Sequence, residues 1–201
     1  MDMQIEPITL TGRVVRLEPL TEAHVPDLAA VGQDDSLWLY IPYPLVHSEA
    51  DMRAWVRDLL ARQAQGTDLP FAVIHQATGR AVGASRYLDI QRANRGLEIG
   101  GTWYGRAFQR TAVNTESKYL LLSHAFDGLG CIRVQLKTDL RNERSQRAIE
   151  RIGAVREGVL RHSMIMPDGH RRNSVYYSIL SEEWPGVKAR LESLLARTAP
   201  V

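Results

Sequence analysis

Three sets of side chains in this sequence could do chemistry. Glu98 stands inside a strand-like alternation, where carboxylates are uncommon. Ser145 stands on the apolar stripe of a short helical stretch, where a buried hydroxyl needs a partner. Arg106 and Arg110 stand in a polar loop, 104–114, that leads from the strand of Glu98 into a helix. A carboxylate beside a cleft can take a proton, and a hydroxyl can donate to a developing negative charge. A loop that opens a helix aims several backbone N–H groups the same way and adds the positive end of the helix dipole, which suits an anion. A phosphate-bearing ligand therefore fits loop 104–114. The plainer reading is a strand–loop–helix unit that only builds the fold.

Each group has a structural competitor. Glu98 could form an ion pair with Arg86 or Arg133 rather than act as a base, and Ser145 could bond back to a carbonyl of the preceding turn. His162 is a second candidate base, because histidine titrates near neutrality. His24, His47, His75, His124 and His170 show no metal-ligand spacing, so no metal is expected. Cys131, the single cysteine, opens an apolar stretch and reads as a small buried hydrophobe rather than a nucleophile. Trp38, Tyr40 and Tyr43 crowd a segment that Pro42 and Pro44 keep from being a regular helix. Such aromatics either pin the loop to the core, the weightier role for Trp38, or wall a pocket, as Tyr40 and Tyr43 could.

The elements that must position these groups follow from periodicity and punctuation. Leu97, Ile99 and Trp103 alternate with Glu98, Gly100 and Thr102, the period of a strand. Tyr119, Leu122, Phe126 and Leu129 then recur at helical spacing, with Gly128 and Gly130 as stops. Residues 13–17 should be a first strand, and Thr21 should cap a short helix carrying Val25, Leu28 and Ala29. Ser48, with Asp51 three residues on, opens a helix whose stripe is Met52, Trp55, Val56, Leu59 and Leu60. Residues 71–75 and 81–88 read as a hairpin around 76–79, and 131–138 as a strand. The helix at 142–151 puts Ser145, Ala148, Ile149 and Ile152 on one face. Residues 154–161 and 171–180 read as a second hairpin, and the last helix starts near Ser181 with Pro185 in its first turn. Strands and helices interleave as one mixed α/β domain.

Composition narrows the function. A length of 201 residues suits one domain with a real core. A net charge of +2, with basic residues scattered among acidic ones, argues against a nucleic-acid binder that lives on phosphate neutralisation. No run approaches a membrane span, and the start MDMQIEPITL lacks a basic segment before an apolar core. One cysteine cannot make an internal disulfide. A cytoplasmic protein, with no membrane and no nucleic-acid partner, is the expectation.

The polar loop resembles the acyl-CoA loop of the GNAT acetyltransferase superfamily, in particular its RimJ/RimL-like branch. That family carries Gln/Arg-x-x-Gly-x-Gly/Ala; here the stretch is Gln109-Arg110-Thr111-Ala112-Val113-Asn114, with the Gln kept and both glycines replaced. Further on, Asn142-Glu143-Arg144-Ser145 opens a helix ending in Arg151-Ile152-Gly153-Ala154, in the order of the family's second block. The resemblance spans residues 10–185 of a single domain taken as 1–201. It implies an α/β (α+β) fold whose twisted, mostly antiparallel sheet splays at its centre, with acetyl-CoA, or another acyl-CoA, as co-substrate in the split. It implies that Gln109, Arg110, Thr111, Ala112, Val113, Asn114, Asn142 and Ser145 bind the acyl-CoA, that Ser145 is catalytic, and that the acceptor lies near Trp38, Tyr40 and Tyr43; Glu98, on the strand a few residues before the loop, is the best-placed catalytic base. Backbone N–H groups near Gly100 to Trp103 would polarise the carbonyl. Many members carry a tyrosine acid where Ile149 stands, so that burden falls here on Ser145 or solvent. Glu116, near the helix start, must point away from any phosphate. The implied activity is N-acyl transfer, by direct attack in a ternary complex, to a primary amine on a small molecule or a peptide N-terminus. Transfer of succinyl or another acyl group, or a silent acyl-CoA-binding module, are the alternatives. Relatives are often dimers, so a homodimer is expected.

Overall fold

A computed structural model describes residues 3–198. The ends of the expected 1–201 domain therefore lie outside the described residues. Eight strands form one sheet: β1 (Leu10–Thr11), β2 (Val15–Pro19), β3 (Leu69–His75), β4 (Arg80–Gln91), β5 (Gly96–Tyr104), β6 (Arg133–Asp139), β7 (Val155–Ile165) and β8 (Arg171–Leu180). Among the described residues five α-helices accompany them: α1 (Val25–Gly32), α2 (Glu49–Ala64), α3 (Ala112–Ser123), α4 (Glu143–Arg151) and α5 (Trp184–Thr198). The strand order is β1-β2-β3-β4-β5-β6-β8-β7, and every neighbouring pair is antiparallel except β5 and β6. The crossover from β5 to β6 runs through α3, as a parallel pair requires.

The sheet is covered on both faces. Leu17, Phe71, Tyr87, Leu97, Ile99, Val134 and Tyr177 pack on one face with side chains of α3, α4 and α5. On the other face Ala72, Ile74, Ala84 and Trp103 pack with α1, α2 and Trp38. Residues on successive strand positions thus serve different cores, as the pleat demands. Local signals explain most element ends. Ser48 caps α2 by accepting from the Asp51 N–H at 3.1 Å, while Asp51 accepts from the Ser48 hydroxyl at 2.7 Å. The β3–β4 turn closes on Gly79, at φ +66°, and the β7–β8 hairpin on Gly169, at φ +81°.

Three expectations shift. The first strand of the central sheet region is Val15–Pro19, two residues later than the alternation suggests. The helix after the polar loop begins at Ala112 rather than after Asn114, because the Thr111 hydroxyl accepts from the Val113 N–H at 3.3 Å and caps it. Its end is a π-turn, His124–Gly128, so the buried side is Val113, Ser117, Leu121, Leu122 and Ala125, and Tyr119 is only partly covered.

Candidate active site

The site begins where β5 and β6 part. Their parallel pairing covers Gly96 with Arg133, Leu97 with Val134 and Glu98 with Gln135, and then stops. β5 continues to Tyr104 and β6 to Asp139 without a shared ladder, which opens a cleft in the sheet at the carboxyl ends of both strands. The β4–β5 register also slips between Ala84 and Arg86, and Gly101 takes φ +58° in that bulge. The bulge turns backbone groups of β5 out of the regular ladder beside the cleft. Both α3 and α4 start just after these strand ends.

The α3 start can hold an anion. Ala112, Val113 and Asn114 form its first turn, where backbone N–H groups lack intrahelical acceptors. The two replaced glycines are thereby explained, since neither Ala112 nor Asn114 needs a left-handed backbone. Arg110 takes φ +60° just before the cap, a conformation usually left to glycine, and its side chain is exposed. Gln109 ties the loop down: its amide donates to the Tyr104 carbonyl at 3.0 Å and accepts from Arg144 of α4 at 2.7 Å. Arg144 therefore joins Arg110 beside the helix start. Glu116 points away, as it must. Its carboxylate accepts the N–H groups of Arg13, Val14 and Val15 at 3.0, 2.6 and 2.7 Å.

At the α4 start, Asn142 is engaged as the cap, accepting from the Ser145 N–H at 3.1 Å. Ser145 lies one turn before buried Ile149, on the same side of the helix. Ser145 is half-buried and its hydroxyl makes no hydrogen bond among the described residues, so the alternative of a bond back to the preceding turn is not formed.

The opposite face of the sheet carries Glu98. The side chain is 2 % exposed and accepts from Gln135 Nε2 and Lys137 Nζ, each at 2.9 Å. Gly100 makes room for it, since a Cβ there would lie 2.8 Å from Glu98 Oε1. The ion-pair partner is thus Lys137, not Arg86 or Arg133. Arg86 pairs with Asp68 at 3.1 Å and Arg133 with Glu157 at 2.5 Å. Tyr43 donates to Asp58 at 2.8 Å and accepts from Arg86 at 3.2 Å, and burial raises its pKa. The Tyr40 ring lies 5.6 Å from the Arg141 guanidinium, and its carbonyl accepts from Arg172 at 3.0 Å.

Two expected residues stand elsewhere. Trp38 is 1 % exposed, donates to the Gly32 carbonyl at 2.7 Å and packs in a mutual cluster with Trp55 and Trp103, so it presents nothing to a ligand. His162 sits on β7, the edge strand, with β6 and β8 between it and β5. Cys131 is buried, and burial pushes its thiol up to about 11, which suits a packing role and no nucleophile.

Residues 15–155 match the acetyltransferase (GNAT) domain family, about seven-tenths of the chain by length. The chain belongs to the GNAT acetyltransferase family. A solved structure of a GCN5-related N-acetyltransferase from Brucella melitensis is 30% identical, covers 98% of this chain and 87% of that one, and superposes with a TM-score of 0.90. A candidate acetyltransferase from T. thermophilus is 42% identical over 96% of this chain and 100% of its own, with a TM-score of 0.88. YdaF of Bacillus subtilis (strain 168), a candidate ribosomal N-acetyltransferase, is 34% identical over 100 residues; the match spans 50% of this chain and 54% of that protein, about half its length. Mycobacterium smegmatis RimJ, solved with CoA-disulfide, shares the fold at 22% identity and a TM-score of 0.80. The enzyme is an N-acetyltransferase, and acetyl-CoA is the co-substrate of its family.

In this acetyltransferase several groups near the split escape sequence reasoning. Lys137 and Gln135 alternate with Val134 and Leu136 on a strand and read as a solvated edge, yet they hold Glu98. Arg144 reads as part of a solvated face. Arg172 is buried and donates to Ser174 Oγ at 3.0 Å as well as to Tyr40. The run Thr115-Glu116-Ser117-Lys118 looks exposed by composition, but all four residues are buried. Among the described residues no cluster of His, Cys, Asp and Glu could hold a metal ion, and no helix is long and apolar enough to cross a membrane.

Proposed function

We propose that this acetyltransferase moves an acetyl group from acetyl-CoA to a primary amine by direct attack in a ternary complex. The observation that carries the reading is the split beyond Glu98 and Gln135, bordered by the starts of α3 and α4 and by an uncommitted Ser145 hydroxyl. The N–H groups of Ala112 and Asn114, with Arg110 and Arg144, hold the pyrophosphate. Thr111 caps the helix, and Gln109 fixes the loop. Asn142 acts through its cap, by orienting the α4 start. The amine enters from the face carrying Glu98, Tyr40 and Tyr43. Glu98 takes the amine proton, or holds through Lys137 the water that does. Backbone N–H groups of the Gly100–Gly101 bulge face the developing oxyanion. As the C–N bond forms and the C–S bond breaks, Ser145 donates to the departing thiolate. No side chain is acylated on the way, which agrees with the buried Cys131.

The acceptor is a peptide N-terminus or a small amine, and ribosomal proteins are the first peptides to try. Arg172 favours a second reading, a donor with a carboxylate on its acyl group. Its buried guanidinium donates to neutral oxygens, and the carboxylates of Asp139 and Glu98 attract it only from beyond ion-pair distance. The test is thermal shift with acetyl-CoA and succinyl-CoA, then free-thiol release with N-terminal peptides and small amines. Acetyl-CoA at about 100 times its dissociation constant should stabilise the fold by about 2.7 kcal/mol. Stabilisation by succinyl-CoA alone moves the assignment to the second reading. Binding without thiol release across the panel favours a silent binding module. No shift with any acyl-CoA refutes the reading.

A further inference from the structure

A buried amine behind the split has no part in the acyl-transfer reading so far. Lys118, in the second turn of α3, is 6 % exposed, and its Nζ donates to Thr102 Oγ1 at 2.7 Å. From β4 the Ser85 hydroxyl reaches the same oxygen at 2.7 Å. Among the described residues no carboxylate lies within ion-pair distance of Nζ. The neighbouring charged and titratable groups are engaged elsewhere. Glu116 of the same helix is held by Arg13, Val14 and Val15. Glu98 of β5 pairs with Lys137 and Arg86 of β4 with Asp68, both on the other face of the sheet. Tyr87 of β4 donates to the Leu121 carbonyl and Arg151 of α4 donates to Thr115; the Tyr104 hydroxyl of β5 is the exception, buried without a hydrogen-bond partner among the described residues. Burial alone pushes the Lys118 amine down from 10.5 to about 7.

Thr102 gives this amine a use. It follows Gly101 in the bulge, is half-buried, and lies on the part of β5 that β6 does not pair. Its hydroxyl therefore borders the split, on the side where α3 packs. An ammonium can donate but cannot accept. Either hydroxyl of the Ser85–Thr102 pair can be the donor; when Ser85 donates and Lys118 fills the other lone pair, the Thr102 hydrogen has one destination, the split. A neutral amine can accept instead, and draws that hydrogen back into the core.

We propose that Lys118 is a positioning residue whose ammonium, acting through Thr102, aims a hydroxyl donor into the split to hold a carbonyl of the acyl-pantetheine arm of acetyl-CoA. The inference rests on the acyl-transfer reading. Lys118 makes and breaks no covalent bond. Because the neutral amine can draw the Thr102 hydrogen back and the ammonium cannot, bound acetyl-CoA favours the protonated amine, and binding slightly above neutral pH takes up a fraction of a proton.

The test is calorimetry of acetyl-CoA binding at pH 7.5 in two buffers of different ionisation heat, which counts protons and needs no amine acceptor. Lys118→Met and Thr102→Val are close in shape to the residues they replace. Wild type should take up protons beyond those that the CoA phosphates bring, measured as its difference from Lys118→Met. Both variants should bind at least about tenfold more weakly, the size expected for a hydrogen bond with a charged member. Equal affinity and equal proton uptake in Lys118→Met overturn the role of the amine. Wild-type affinity in Thr102→Val overturns the relay, and this variant decides the matter if Lys118→Met does not fold. A wild type that binds no acetyl-CoA removes the acyl-transfer reading itself, an outcome distinct from binding that the variants leave untouched.

Discussion

Replacing Lys118 by methionine should make the ligand-free protein more stable, by an amount that depends on pH. The unfolded chain keeps this proton up to its ordinary value of 10.5, whereas the folded chain releases it near 7. Below pH 7 both states are protonated and the fold bears the whole penalty of a buried unpaired ammonium. Between pH 7 and 10.5 the unfolded state holds more protons than the folded one, so stability rises with pH. Above that range the penalty is gone. A difference of about 3.5 between 10.5 and 7, at 1.36 kcal/mol each, sets the penalty at about 5 kcal/mol below pH 7. Methionine removes the charge but also the bond to Thr102, worth about 1 kcal/mol. The variant should therefore gain about 4 kcal/mol at pH 6.5, on the order of 10 °C in Tm for a chain of this length. The gain should shrink through pH 8 and 9 and turn into a small loss near pH 10. Urea unfolding of both proteins from pH 6 to 10 measures it, and titrations common to both cancel in the difference. A difference that does not change with pH would refute the reasoning, because it would show that Lys118 keeps an ordinary amine in the fold.

Glu116→Ala leaves the N–H groups of Arg13, Val14 and Val15 without their carboxylate; at about 1–3 kcal/mol for each stranded donor, toward the low end for the part-buried Arg13 and Val14, it should lower stability by about 3–5 kcal/mol, read in the same urea assay. Glu98→Gln should lower turnover by about 10²–10⁴ with acetyl-CoA binding retained, and the loss should shrink as pH rises and more amine is deprotonated in solution; full activity near neutral pH removes Glu98 from the mechanism. Ser145→Ala should lower turnover by about a hundredfold with thermal stability and acetyl-CoA affinity little changed, since alanine is the better helix former; unchanged turnover with chemistry rate-limiting assigns the thiolate proton to solvent. Tyr40→Ala should weaken use of the amine more than binding of acetyl-CoA, measured as separate KM values; equal loss of both returns Tyr40 to a structural role beside Arg141.

Much of the frame was legible because its causes are local. Caps, turns and periodicity act within a few residues, so Ser48 with Asp51, the hairpin closing at Gly79, the helix after Asn142 and the strand around Glu98 all declare themselves in the chain. The family pattern at Gln109 and again at Asn142 added the order of elements and the split between β5 and β6. The boundaries that slipped did so where a local contest was decided by one hydrogen bond, as when Thr111 capped α3 ahead of Asn114. Partners were a different matter. Which cation meets Glu98, where Glu116 sends its carboxylate across a sequence separation of 103, and that Lys118 enters the interior to find Thr102 depend on which strands and helices come to lie side by side. A charged side chain has no periodic signature of its own burial. Its environment is made by residues far along the chain, and only the packed sheet, with α3 laid across it, brings them together.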